Sequence, residues 1–141
     1  MNEVERPLFS LFHIGNSIQA LNKHSEKTLG ISLVQWCLLR CLIDMPASSA
    51  NSLAKAVSVH PSTLTQTLKR LDRKNFIFIT EDPKDSRKKL ISITRSGKDV
   101  LEKTGVNIQE WTKDLSVLEG DLHRLRSYLQ DQVNKETRLE M

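Results

Sequence analysis

The side chains of this chain that are best suited to chemistry lie in the segment Asp85-Ser-Arg87 and among the lysines around it. If the segment is extended, the carboxylate of Asp85 lies beside the guanidinium of Arg87 and can hold it in one direction through a charge-assisted hydrogen bond. An arginine held at a hairpin tip can enter the narrow minor groove of duplex DNA, where the negative potential is enhanced. Lys84, Lys88 and Lys89 flank it and are expected to contact phosphates.

A second group of candidate side chains lies in residues 61–74. Leucines at three- and four-residue steps (Leu64, Leu68, Leu71) predict a helix with one buried face, and the opposite face then carries short polar groups. Hydroxyls and amides of this kind can read base edges in the major groove, where glutamine pairs with adenine and a threonine methyl contacts thymine. The candidates for base contact are Ser62, Thr63, Thr65, Gln66 and Lys69. Basic residues later in the helix and beyond the hairpin are expected to contact phosphates: Lys69, Arg70, Arg73, Lys74 and Arg95.

The positive charge of the chain is concentrated around these two groups. The net charge is +4, but residues 1–54 sum to zero, residues 55–95 to +6 and residues 96–141 to −2. A polyanion is attracted to such a segment by counterion release. The distribution therefore favours a nucleic-acid partner over a surface that is charged only for solubility.

The elements that must position these side chains form a helix-turn-helix followed by a hairpin. The pattern predicts helices over residues 51–57 and 61–74, with His60 or Ser62 as the cap of the second and Asn75 in a left-handed conformation after it. It then predicts strands over 76–80 and 90–94, joined by a charged tip over 81–89. Together these elements predict a winged helix-turn-helix over residues 33–94, with the recognition helix at 61–74 and the wing at 76–94.

Helices are predicted on both sides of this domain. The first begins near Arg6 or Pro7 and ends before Gly30, and Ser32 caps a second, core helix that reaches Asp44. Thr94 opens a long helix, and Glu119-Gly-Asp121 separates it from a last one. Apolar stripes on the terminal helices predict that residues 1–32 and 95–141 form a homodimer, although the stripes could also close on each other within one chain. The predicted fold class is thus mainly α with a small β-hairpin wing.

Length and composition limit the classes of protein to which this chain can belong. A length of 141 residues is typical of a single domain. They include no apolar run of membrane-spanning length, and the charged start Met1-Asn-Glu-Val-Glu-Arg6 is unlike a secretory signal. Two cysteines, Cys37 and Cys41, exclude a disulfide framework. We therefore expect a cytoplasmic protein, associated with DNA and without a membrane partner.

These motifs together resemble the MarR family of bacterial transcription regulators. The resemblance rests on Leu53-Ala54, on the helix Ser62–Leu71, on Asp82-Pro-Lys-Asp-Ser-Arg87 and on Leu90-Ile-Ser-Ile-Thr94 with Gly97. It implies a homodimer, usually a repressor, on a pseudo-palindromic operator, with Arg87 in the minor groove and Asp85 as its partner. It also implies a small aromatic or lipophilic acid as effector, bound between the dimer helices and the winged domain. Asn75, where glycine is common, and Lys89, where arginine is common, depart from the family pattern.

Other functions remain as alternatives. Cys37 and Cys41 could form a redox switch, but their four-residue spacing on a core helix favours a packing role. His13, Trp36 and Arg40 are candidates for the effector pocket. No nucleotide loop, zinc-protease pattern or nucleophile elbow occurs, and the histidines are scattered, so we expect neither an enzyme nor a metal or other cofactor. A winged-helix module that binds protein is the third alternative.

Overall fold

The computed structural model describes residues 1–140, so Met141, the last residue of the predicted dimerisation region, lies outside the described residues. The helices are α1 Arg6–Leu29, α2 Leu33–Asp44, α3 Ala50–Val57, α4 Pro61–Arg73, α5 Arg95–Leu115 and α6 Glu119–Glu140. The strands are β1 Ile77–Asp82 and β2 Asp85–Ile93, which pair antiparallel. The chain divides into two units after Lys103, within α5. This mainly helical architecture with one hairpin confirms the predicted fold class.

The first two helices begin and end where the local signals predict. Gly30 ends α1 in a left-handed conformation with φ of 76°, which glycine adopts without steric cost. Ser32 then caps α2 through a capping box, because its hydroxyl accepts the backbone N–H of Gln35 at 3.1 Å and the Gln35 side chain accepts the backbone N–H of Ser32 at 3.3 Å. Met45 ends the helix directly before Pro46.

The helix-turn-helix differs from its prediction by single residues. Helix α3 begins at Ala50, one residue early, because the Ser49 hydroxyl caps it. Helix α4 begins at Pro61 with His60 as its cap and ends at Arg73, one residue early. Asn75 then has a φ of 62°, which confirms the left-handed position predicted for it.

Helix α2 is the centre of the core of the first unit. It contacts α1, α3, α4 and β2. Leucines from four helices and isoleucines from both strands fill the interior, and this shared packing holds the strands and α4 together. The buried apolar residues of this core are Ile31, Leu38, Leu39, Leu42, Leu53, Leu64, Leu68, Leu71, Ile77, Ile91 and Leu101.

The two strands of the wing are longer and the loop between them is shorter than predicted. The sequence predicts a charged tip over residues 81–89, but the strands continue to Asp82 and from Asp85, so only Pro83 and Lys84 lie between them. Opposite charges at the paired positions Glu81 and Lys89, whose side chains are 3.1 Å apart, stabilise pairing in what reads as a polar loop. Ser48 also pairs with Ile91 on the other edge of β2 and joins the wing to the turn before α3.

The break between the last two helices also differs from its prediction. A 3₁₀ turn, Ser116–Leu118, separates α5 from α6, and the predicted interruption at 119–121 is wrong. Glu119 and Asp121 instead lie in the first turn of α6, where the positive end of the helix dipole favours acidic side chains. None of the described helices is both long enough and apolar enough to cross a membrane.

Large apolar side chains remain exposed on the terminal helices of the single chain. On α1 they are Leu8, Phe9, Phe12, Ile14, Ile18 and Leu21. After Lys103 they are Val106, Leu115, Val117, Leu118, Leu122, Tyr128, Leu129 and Val133. These faces correspond to the stripes on which the dimer prediction depends.

Candidate nucleic-acid interface

Helix α4 presents its predicted contact residues to solvent. Leu64, Leu68 and Leu71 are buried, which fixes the rotation of the helix about its axis. The predicted base and phosphate contacts are all exposed: Ser62, Thr63, Thr65, Gln66, Lys69, Arg70 and Arg73. The division between an inner leucine face and an outer polar face is therefore as predicted.

Local hydrogen bonds organise the N-terminal turn of α4. Nδ1 of His60 accepts the backbone N–H of Ser62 at 3.2 Å and lies 2.8 Å from the Ser62 hydroxyl. The Thr65 hydroxyl donates to the carbonyl of Pro61 at 2.9 Å. Thr65 can then still accept a hydrogen bond from a base, whereas the exposed amide of Gln66 carries both donors and an acceptor. This turn has the chemistry that base readout needs.

The last basic residue of this segment makes its contacts within the chain. The sequence predicts a phosphate contact for Lys74, but the residue is half-buried, and its ammonium contacts Glu26 at 3.2 Å and Gln35 at 2.9 Å. These acceptors lie near the end of α1 and the start of α2, which the fold brings beside the end of α4. Arg73 remains exposed, with its Nε directed at the carbonyl of Lys69 at 3.4 Å.

In the wing, Asp85 and Arg87 adopt the predicted arrangement. Nε of Arg87 lies 3.2 Å from Oδ1 of Asp85, and the arginine side chain is 90% exposed. The guanidinium still carries donors on its two Nη atoms, which face outward from a side chain of this exposure. Lys84 and Lys88 are also exposed, whereas Lys89 is paired with Glu81 across the hairpin. The wing thus offers one oriented guanidinium and two exposed ammonium groups.

Sequence reasoning missed the part that α3 contributes. The start of this helix, Ser49, Ala50 and Asn51, lines a cleft of about 430 Å³ whose other wall is Arg87, Lys88 and Lys89. A second cleft of about 310 Å³ continues from Asn51 and is lined by Ala54, Lys55, Val59 and Pro61. Asn51 belongs to both clefts, so the wing, α3 and the start of α4 form one continuous surface. The Ser49-x-x-Ser52 capping pattern was the available signal.

Arg95 lies at the start of α5 and is exposed. Its Nε contacts the carboxylate of Asp99 at 3.3 Å, one helical turn later. A carboxylate partner neutralises part of its charge, so the contribution of Arg95 to phosphate binding is smaller than that of an unpaired arginine.

The candidate effector residues lie on two helices. His13 is exposed on α1, and Arg40 pairs with Asp44 at 3.1 Å on the outer face of α2. Trp36 is half-buried, and its indole N–H has no hydrogen-bond partner among the described residues. A separate cavity of about 210 Å³ is lined by Leu42, Ile43, Pro46, Ser92, Ile93 and Lys98.

Cys37 and Cys41 do not share one buried environment. Cys41 packs against the core, whereas Cys37 is exposed at the surface of α2. The protein atoms around its sulfur, and then the neighbouring charge of Cys41, raise the pKa of the Cys37 thiol. A raised pKa reduces the thiolate fraction at neutral pH, and thiolate is the form that oxidants attack. In the described residues no group of three histidines, cysteines or acids forms a metal site.

Comparison with known proteins places this architecture in a family. The MarR family model matches residues 31–89, from the start of α2 into the wing. The transcriptional regulator SarZ of Staphylococcus epidermidis is 25% identical over 134 residues, which are 94% of this chain and 90% of SarZ. The repressor NicR of Pseudomonas putida is 31% identical over 72 residues, 51% of this chain and 46% of NicR.

Two solved structures are similar over most of the chain. A MepR-like protein complexed with pseudoligands has a TM-score of 0.73 and 27% identity, covering 92% of this chain and 94% of that one. A mutant of MarR from E. coli, complexed with operator DNA, has a TM-score of 0.68 and 25% identity, covering 89% of this chain and 99% of that one. Helix α4, the hairpin and these relatives indicate the same architecture, and residues 31–89 belong to the MarR family of winged-helix transcriptional regulators.

Proposed function

We propose that this protein is a repressor that binds a pseudo-palindromic operator as a homodimer and is released by a small acidic ligand. The proposal rests on one observation: two exposed groups of side chains, at the start of α4 and in the wing, each suit a groove of DNA. The exposed polar turn at the start of α4 suits a major groove, and the Arg87 guanidinium, oriented by Asp85, suits the adjacent minor groove.

Within this proposal, the contacts divide by chemistry. Ser62, Thr63, Thr65 and Gln66 read bases, while Lys69, Arg70 and Arg73 contact the backbone beside them. The cleft between the start of α3 and the wing binds a phosphate, because Lys88 and Arg87 line one wall and the first residues of α3, at the positive end of its helix dipole, line the other. Lys89 contributes less than Lys88, since Glu81 already neutralises it.

The exposed apolar faces of α1 and α6 support a second copy of the chain as partner. Two-fold pairing matches two equal half-sites on DNA, so the proposed dimer and the proposed operator have the same symmetry. Phe12→Glu and Ile18→Glu should shift the protein to monomer in sedimentation equilibrium. Phe78→Glu changes another exposed apolar residue, which lies in the wing, and should leave the dimer intact. A monomeric wild type would remove the dimer from the proposal.

An acidic effector is supported by two features of the first unit. The buried indole N–H of Trp36, which has no partner among the described residues, offers a donor to a carboxylate. Arg40, on the next turn of α2, offers a cation if the carboxylate displaces Asp44 from it. The cavity at Leu42 and Ile93 offers apolar walls with the Lys98 ammonium. Calorimetric titration with benzoate and larger aromatic acids tests both, with Arg40→Ala and Lys98→Ala identifying which site binds.

Operator binding is tested by selection from a random duplex library, followed by gel shift at about 0.15 M salt with competitor DNA. A discrete complex that resists competitor supports the proposal. A smear that competitor abolishes leaves generic DNA affinity and favours the protein-binding module instead. Adding peroxide to the discrete complex tests the redox alternative, with Cys37→Ser/Cys41→Ser as control. Release that the double variant abolishes would establish a cysteine switch.

A further inference from the structure

Lys74 directly follows α4, and its ammonium contacts three acceptors from earlier in the chain. Nζ lies 2.9 Å from Oε1 of Gln35, 3.1 Å from the carbonyl oxygen of Gly30 and 3.2 Å from Oε1 of Glu26. A lysine ammonium has three N–H donors, so these contacts use all of them. The charge is also neutralised by Glu26. Lys74 therefore adds neither a free donor nor a free charge to the DNA-binding surface.

The acceptors belong to a turn that is itself firmly held. Gln35 is 1% exposed and takes part in the capping box of α2, and Gly30 ends α1. The Ser25 hydroxyl donates to the carbonyl of Ile31 at 2.7 Å, and Asn22 accepts the backbone N–H of Val34 at 3.0 Å. Lys74 consequently ties the last turn of α4 to a fixed point in the core.

The next residue ties the same end of α4 to α5. The carbonyl of Asn75 accepts the Thr94 hydroxyl at 2.6 Å, and Thr94 also accepts the backbone N–H of Gly97 in the first turn of α5. The C-terminal end of α4 is thus held from two sides. At 1.5 Å per residue, α4 is about 20 Å long, so a tilt of about 5° at this end moves the base-reading turn by more than about 1 Å.

We propose that Lys74 is a positioning residue for sequence recognition and not a phosphate contact. By joining α4 to the α1–α2 turn, it sets the direction from which Thr63, Thr65 and Gln66 approach the bases. The inference rests on the proposed operator binding. It predicts that loss of the Lys74 contacts lowers affinity for the operator much more than affinity for unrelated DNA, because non-specific binding depends on charge and not on base contact.

The test compares three variants of the full chain: Lys74→Met, Glu26→Gln and the double variant. Lys74→Met keeps the length of the side chain and removes its donors, whereas Glu26→Gln removes only the charge of one acceptor. Lys69→Met is the matched control, since it makes the same change at an exposed position within α4. Fluorescence anisotropy measures the affinity for the selected operator and for a scrambled duplex at several salt concentrations, and circular dichroism measures the folded fraction.

For Lys74→Met we expect operator affinity to fall about tenfold, affinity for the scrambled duplex to change less than about twofold, and the salt slope to stay unchanged. For Lys69→Met we expect both affinities to fall and the slope to decrease by about 1.8, because each copy in the proposed dimer loses one phosphate contact. The double variant should lose less than the sum of the single losses, because both residues act through one contact.

A reduced salt slope for Lys74→Met, or equal losses on both duplexes, would overturn the inference and restore a phosphate contact. Additive losses in the double variant would also overturn it. If Lys74→Met is unfolded, Glu26→Gln provides the test instead. Its salt slope and its losses of affinity for the two duplexes are then judged in the same way. A wild-type protein with no operator preference would instead refute the proposed function, which separates the two failures.

Discussion

The carboxylate of Asp85 accepts two hydrogen bonds from Arg87 through the same oxygen. Oδ1 lies 3.0 Å from the backbone nitrogen of Arg87 and 3.2 Å from its Nε. The backbone bond places the carboxylate, and the placed carboxylate then directs the guanidinium. Because the arginine is otherwise solvent-exposed, this pair restricts a side chain that would lose conformational entropy on binding.

Replacing either member of this pair should weaken operator binding. Arg87→Ala should cost about 1–3 kcal/mol and relax the sequence preference next to the wing. Asp85→Ala should cost part of that energy even though it makes the protein more positive. Glu81→Ala is the control, because it removes a carboxylate from the same hairpin and frees Lys89 without affecting Arg87. If Asp85→Ala binds more tightly, as Glu81→Ala should, charge alone governs the wing and its positioning role is wrong.

Gly97 should tolerate no side chain. A Cβ at this position would overlap the carbonyl oxygen of Phe76 and lie 2.6 Å from Cγ1 of Ile93. Gly97→Ala should therefore lower the free energy of unfolding by about 1–3 kcal/mol, as overpacking does. Gly105→Ala is the matched control, because it also lies in α5 and its Cβ would meet nothing within 4 Å. Helix propensity should make that variant more stable by up to about 1 kcal/mol. Urea unfolding at constant protein concentration measures both, and equal stability of the two variants would contradict the prediction.

Thr94 should stabilise the junction between α4, the wing and α5. Its hydroxyl donates to Asn75 and accepts from Gly97, so Thr94→Val removes two hydrogen bonds while it keeps the shape of the side chain. We expect a loss of about 1–3 kcal/mol in the free energy of unfolding, because the amide at the helix start loses its cap. Thr94→Ser keeps the hydroxyl and should retain most of the stability. A valine variant as stable as the wild type would show that water replaces both bonds.

Cys37 should react slowly with alkylating agents at neutral pH. Its pKa is raised above the ordinary value of 9.0 first by the protein atoms that partly desolvate the sulfur and then by Cys41, so the folded protein favours the neutral thiol. The neutral Cys37 thiol therefore contributes stability at a pH below its pKa in the unfolded chain. This stability is lost as the pH rises through its higher pKa in the folded chain. The pH profile of iodoacetamide alkylation in Cys41→Ser, compared with the same variant in urea, measures the shift. A midpoint at or below that of the unfolded chain would contradict the prediction and favour a reactive thiol.

Short-range signals predicted most of the fold because each acts within a few residues. Gly30, Ser32 and the Met45-Pro46 pair set helix ends through backbone conformation and capping alone, so their neighbours in sequence were sufficient. The Asp85–Arg87 pair was predictable for the same reason, since residues two apart on a strand project to one side. The lengths of the two strands were not predictable, because residues 81–89 have the composition of a polar loop and only the fold shows that Glu81 pairs with Lys89.

The sequence by itself determined most helix ends, which leucines face inward and where the positive charge is concentrated. Only the tertiary structure decided which basic side chains contact acceptors that are distant in the chain. Arg73 and Lys74 are neighbours of similar charge, yet one stays exposed and the other joins α4 to acceptors that lie 39 to 48 residues earlier in the chain. Flexible side chains bind the acceptors within their reach, and folding sets which acceptors those are.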